Sequence, residues 1–155
     1  MGQLLDGAAF LSQTNAMQAT LRQLIGGALW FHGPSCDLES FVIRVGEPRT
    51  REIQYYQLTI NCAWRLRQQQ QILLSSEDWL YDDDNNIEFE PSVAKFWAKH
   101  DPASLIIWSI EVKPQSGDLC FSINYDYKLD ILINAAAGQH WVLHRDGLEI
   151  WRYRS

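Results

Sequence analysis

The sequence predicts an α+β domain: an antiparallel β-sheet of about eight strands, with strong curvature, packed by one long N-terminal helix and one short helix. Three observations carry that expectation. The stretch Tyr55 to Arg67 holds the longest strict alternation of apolar and polar residues in the chain. Residues 7–26 place apolar side chains at three- and four-residue steps instead. Beyond residue 104, short alternating runs follow one another, broken by turn residues. Alternation of period two marks strands and a period near 3.6 marks helices.

In chain order, the helix expected over 7–26 carries Phe10, Thr14, Met17, Leu21, Leu24 and Ile25 on one stripe, and Gly26-Gly27 ends it. Ala28 to His32 reads as a short strand stopped by Gly33-Pro34, and Leu38 to Val45 as a second, turned by Gly46-Glu47-Pro48. Next comes the central strand, with Tyr56, Leu58, Ile60, Cys62, Trp64 and Leu66 facing the core and Arg65 and Arg67 facing away. The connection Gln68 to Gln71 lacks Gly or Asn and predicts a longer loop rather than a tight turn. A return strand starts at Ile72. Ser92 caps a short helix that turns Val93, Phe96 and Trp97 inward. The remaining strands are Ile106 to Val112, Leu119 to Tyr125, Lys128 to Ile133, His140 to His144 and Leu148 to Arg154, the last two joined at Asp146-Gly147.

At 155 residues, with 46% hydrophobic and 21% charged residues, the chain reads as a single domain, residues 1–155, that buries a core without disulfides or metal. A net charge of −6 lacks the basic footprint that nucleic-acid binding needs. The first basic residue is Arg22 and no apolar run approaches a membrane span, so neither leader nor membrane partner is expected. Three cysteines without metal spacing point to a reduced, cytoplasmic protein.

The strongest compositional feature is acidic. Glu77, Asp78, Asp82, Asp83, Asp84, Glu88 and Glu90 supply seven of the 19 acidic residues, and without them 12 acidic residues face 13 basic ones. The whole net charge therefore resides in this segment, which suits a basic protein partner or a solvated loop. Asp82, Asp84 and Asn86 match the opening of a calcium-hand loop. Ile87 and Val93, however, stand where its glycine and its bidentate glutamate belong. His140 and His144 share a strand face roughly 13 Å apart, at ~3.3 Å per residue, which is too far for one zinc ion. No metal, no cofactor and no catalytic residues are expected. Arg44, Arg49, Arg51, Arg65 and Arg67 cluster around the central hairpin, Arg65 and Arg67 on its polar side, and suit either a carboxylate or phosphate, or cross-strand pairing with acids; the pairing is the plainer expectation.

The motifs L-T-I-N-C-A-W-R-L (Leu58 to Leu66), S-S-E-D (Ser75 to Asp78), L-D-I-L (Leu129 to Leu132) and I-W-R (Ile150 to Arg152) resemble those of a group of small bacterial proteins of unknown activity. These carry an L-x-I-x-C-x-W-R strand, and some are regarded as immunity partners of toxins. The resemblance spans roughly residues 28–154 and singles out Cys62, Trp64, Arg65, Asp78, Trp151 and Arg152. It implies a stand-alone α+β domain without an assigned reaction. The expected function is accordingly non-enzymatic protein binding, as an immunity protein presenting Asp78, Asp82, Asp83, Asp84 and Glu88, with Arg65, to a basic toxin. Two alternatives stand beside it. One is a small-ligand site or enzyme with a Trp-lined pocket where Arg65, Asp78 and the histidines converge. The other is a structural homodimer joined through an edge strand.

Overall fold

The computed structural model describes residues 15–34, 41–47, 55–76, 104–113, 116–133 and 139–154. They form two five-stranded antiparallel sheets. The strands are β1 (Ala28–Pro34), β2 (Phe41–Gly46), β3 (Tyr55–Ile60), β4 (Ala63–Gln68), β5 (Gln71–Ser75), β6 (Ile107–Val112), β7 (Leu119–Ile123), β8 (Tyr127–Leu132), β9 (Gln139–Arg145) and β10 (Leu148–Arg154). The first sheet runs β1-β2-β3-β9-β10 and the second β5-β4-β8-β7-β6. Mostly antiparallel sheet with a short helix is thus the architecture, with ten strands among the described residues rather than eight.

The central alternating stretch is two strands. Asn61 and Cys62 interrupt it, and the chain leaves the first sheet as β3 and enters the second as β4. Strands that switch sheets make the corners of sheet-on-sheet packings. Leu58, Ile60, Trp64 and Leu66 are all buried, so the core-facing set carries on through the corner. A second seam joins the sheets on their other side. Gly26 N–H donates to Ile107 O at 2.7 Å, Ile107 N–H to Gly27 O at 3.0 Å and Leu29 N–H to Leu105 O at 2.9 Å.

The core lies between the sheets and draws on both. Ile43, Leu58, Trp141 and Leu143 come from the first sheet and Trp64, Leu66, Phe121, Leu129 and Ile131 from the second. Phe41 stacks on Trp64 across the interface, with ring centroids 4.4 Å apart and planes 24° from parallel. Burying side chains of this size contributes about 1.5–3 kcal/mol each.

The helix ends earlier than its apolar stripe predicts. Among the described residues it covers 15–21, followed by a 3₁₀ turn, Arg22–Leu24. Met17, Leu21 and Leu24 are buried as the stripe requires. The tighter 3₁₀ winding rotates the chain, and Ile25 leaves the stripe at 42% exposure. Gly26, at φ 89°, then turns the chain into β1. No helix among the described residues is long and apolar enough to cross a membrane.

Three further expectations change. β1 continues through Gly33-Pro34, with a bulge between Phe31 and Gly33. Proline is tolerated there because it is the last residue of β1, which among the described residues is an edge strand of its sheet. The β4–β5 connection is tight: Gln68 pairs with Gln71, leaving Gln69-Gln70 as the turn, with Gln69 at φ 56°. Glutamine occupies a position that usually falls to glycine or asparagine, so the residue types misled. The helix expected after Ser92 lies outside the described residues.

Candidate functional site

Tyr55 and Tyr56 open β3 at one end of the first sheet. As strand neighbours they point to opposite faces, and each carries an arginine on its ring. Arg44, from β2, lies over Tyr55 at 4.3 Å from the ring centroid, and Arg145, from β9, over Tyr56 at 5.0 Å. Cross-strand register explains the second pair, since Tyr56 stands directly opposite Arg145. Hydrogen bonds fix the group. Arg145 Nη1 donates to Tyr56 Oη at 3.0 Å, and Tyr56 Oη donates to Gln23 Oε1 at 2.8 Å. Trp30 meets Tyr55 edge to face, with centroids 6.0 Å apart.

Two hollows flank Tyr55. The larger, about 280 Å³, is lined by Gln23, Gly26, Glu47, Tyr56 and Arg145 besides Tyr55. The second, about 250 Å³, is lined by Gln57, His144, Asp146 and Gly147 on its other side. His144 Nδ1 is buried and has no hydrogen-bond partner among the described residues.

A second polar cluster sits on the outer face of the other sheet. Arg65 stands opposite Asp130 and Arg67 opposite Lys128. Arg65 Nε and Arg67 Nε both donate to Asp130 Oδ2, at 2.9 and 2.8 Å. Burial alone would push the Asp130 carboxyl up, but hydrogen bonds from Arg67, Arg65 and the Cys120 thiol hold it below its ordinary value. The Cys120 thiol is pushed up by burial and by that same carboxylate.

Of the residues the sequence marks for partner binding, Arg65 lies here, bound to Asp130. Cross-strand pairing with an acid is therefore what occupies this arginine and Arg67. Asp78, Asp82, Asp83, Asp84 and Glu88 lie outside the described residues, as does the Asp82-Asp84-Asn86 calcium-loop match. Arg65 does not converge with His140 or His144: Arg65 lies on the outer face of the second sheet, and His140 and His144 belong to β9 of the first. Nor do the described tryptophans line one pocket. Trp64 and Trp141 are packed in the core, while Trp108 is 61% exposed on edge strand β6. Among the described residues no three His, Cys, Asp or Glu side chains form a group able to hold a metal ion.

Cys62, Trp64, Trp151 and Arg152 take structural positions. Trp64 is in the core, and Cys62 and Trp151 pack against it half-buried. Arg152 pairs with Glu149. The Cys62 thiol, pushed up to about 12 by burial and by Asp118, stays protonated and is no nucleophile near neutral pH. Sequence reasoning missed Tyr55, Tyr56, Arg44 and Arg145 as a group. The only local signal was the Tyr-Tyr pair at the head of the alternating stretch.

No protein family, curated protein or solved structure matches this chain.

Proposed function

We propose that this chain is a non-catalytic recognition domain whose partner is another protein. The observation that carries the reading is Tyr55 standing between two hollows, with Arg44 laid on its ring and Arg145 on that of Tyr56. Tyrosine, tryptophan and arginine are the side chains that most often dominate binding energy at protein interfaces. Here they are held in place before a partner arrives, by Gln23 and by cross-strand register, so little ordering remains to be done on binding.

The partner is a basic protein, and the segment from Glu77 to Glu90, with seven carboxylates and no Lys or Arg, supplies the complementary charge. Such charge speeds encounter and rejects wrong partners more than it tightens the complex. An immunity role against a basic toxin fits this division of labour and the Leu58–Leu66 motif resemblance.

The test is low-salt co-purification from the native host followed by binding kinetics with the recovered protein. Tyr55→Ala with Tyr56→Ala is expected to speed dissociation by at least tenfold, about 1.4 kcal/mol or more. Asp82→Asn, Asp83→Asn and Asp84→Asn together are expected to slow association by about tenfold at low salt. A partner whose binding ignores both variants would refute the proposal.

The larger hollow favours one second reading, a small ligand held by Tyr56, Arg145 and Gln23. A thermal-shift screen in which a compound stabilises the wild type but not Arg145→Gln would select it.

A further inference from the structure

The geometry points to an oxyanion receptor on the outer face of the second sheet, in which Arg65, Arg67 and Lys128 take a phosphate-type dianion and Asp130 aligns the two guanidiniums. Nothing in the cleft at Tyr55 enters this inference, since the two groups lie on different sheets.

The placement comes first. Arg65 and Arg67 are two apart on β4, and their direct neighbours on β8 are Asp130 and Lys128. These four side chains make a square of three cations and one carboxylate, formally +2, in a chain whose net charge is −6. Arg67 faces Lys128 directly, and like charges directly opposite each other on a sheet destabilise it. A purely structural ion pair would be served by one arginine on Asp130. The second arginine and the lysine are excess positive charge, and a dianion would balance them.

Hydrogen-bond geometry supplies the second argument. Arginine–carboxylate pairs frequently engage fork to fork, with two parallel N–H bonds. Here both arginines reach Asp130 through Nε alone, and both use the same oxygen. The Cys120 thiol binds the same carboxylate. Arg67 spends Nη1 on Gln69 O at 3.3 Å. Both Nη groups of Arg65 make no hydrogen bond to the described residues, Arg67 is further held by the Cys120 sulfur, and the two side chains are 42% and 29% exposed. The amino groups of Arg65 are thus left open on the strand face that Arg67 shares, with both guanidiniums anchored on Asp130. Planar, fixed N–H donors of this kind match the oxygens of a phosphate monoester.

The test titrates inorganic phosphate and phenyl phosphate into the full-length ¹⁵N-labelled protein at low ionic strength, with chloride at matched ionic strength as control. The expected result is saturable, millimolar binding of both phosphates, with the Arg65 and Arg67 Nε signals moving together. Arg65→Gln with Arg67→Gln should weaken it at least tenfold, and Lys128→Gln a few-fold. Asp130→Asn should also weaken it, although it removes a negative charge. Should Asp130→Asn not fold, Arg65→Lys with Arg67→Lys replaces it, keeping the charge and losing the fork, and a tenfold loss is again expected. Shifts that chloride reproduces would overturn the inference. So would tighter phosphate binding by Asp130→Asn, or affinity unchanged in the lysine variant.

Discussion

Each sheet carries a pair of arginines, and the two pairs are held by opposite means. On the first sheet Arg44 and Arg145 lie on tyrosine rings, and the ion pair of Arg145 with Asp146, at 3.9 Å, is long and exposed on both sides. On the second, Arg65 and Arg67 converge on one buried carboxylate, Asp130, only 5% exposed. Stacking on an exposed ring contributes about 0.5–1 kcal/mol and leaves the donors of the guanidinium edge available. Pairing with a buried carboxylate couples the arginines to the fold, because removing either side strands a charge. The first pair can be altered with little effect on stability. The second cannot.

The largest expected effect falls on what the two sheets share. Trp64 follows directly from the corner where β3 becomes β4, and its ring stacks on Phe41 of the opposite sheet. Trp64→Ala removes the bulkiest contact at that seam and leaves a cavity, so it should cost about 3–5 kcal/mol by denaturant titration. A loss below about 1 kcal/mol would mean the sheets are held together mainly at the Gly26–Leu29 seam.

Next comes the contrast between the arginine pairs. Asp130→Asn should cost about 1–3 kcal/mol, a range lowered because both guanidiniums are partly exposed. Arg44→Gln or Arg145→Gln should cost at most about 1 kcal/mol. The two also separate in pH. The folded state holds the Asp130 carboxyl below its ordinary value of 3.8, so its stabilising contribution is complete above that value and is lost as pH falls through the lower folded one. The thermal midpoints of wild type and Asp130→Asn should therefore differ at pH 6 and converge in the acid range below 3.8. Parallel curves down to pH 2 would remove the ion pairs as the cause.

How much of this was legible varies with range along the chain. The Leu148–Arg154 strand and the Asp146-Gly147 turn were read with their correct bounds, because turn chemistry and alternation are local. The β3–β4 corner was not legible. Leu58, Ile60, Cys62, Trp64 and Leu66 keep alternating across it, and a strand can change sheets without changing which face meets the core. Arg65 and Arg67 were placed on the outward side, but their carboxylate is 65 and 63 residues away, and no spacing rule reaches that far. Tyr55 and Tyr56 point to opposite faces, so alternation assigns them different roles. Only the end of the sheet, where both faces are open to the same hollow, brings them together.

The smallest expected effect concerns the two tight hairpins, one in each sheet. Asp146 and Gly147 have φ of 51° and 81°, the double positive φ of a type I′ turn, with a glycine where it is needed. Gln69 adopts φ 56° with no such help, and for an L-residue that region costs roughly 1–2 kcal/mol. Gln69→Gly relieves that cost but raises the entropy of the unfolded chain, and the balance should be a gain of about 0.5 kcal/mol. Gly147→Ala meets no atom within 4 Å, so its expected loss, about 1 kcal/mol, comes from the backbone alone. Opposite signs at the two turns, measured by denaturant titration, would show that the β4–β5 turn is imposed on its glutamines by the register of Arg67 with Ile72 and Gln68 with Gln71. A loss at both would mean that the Gln69 side chain itself holds the turn.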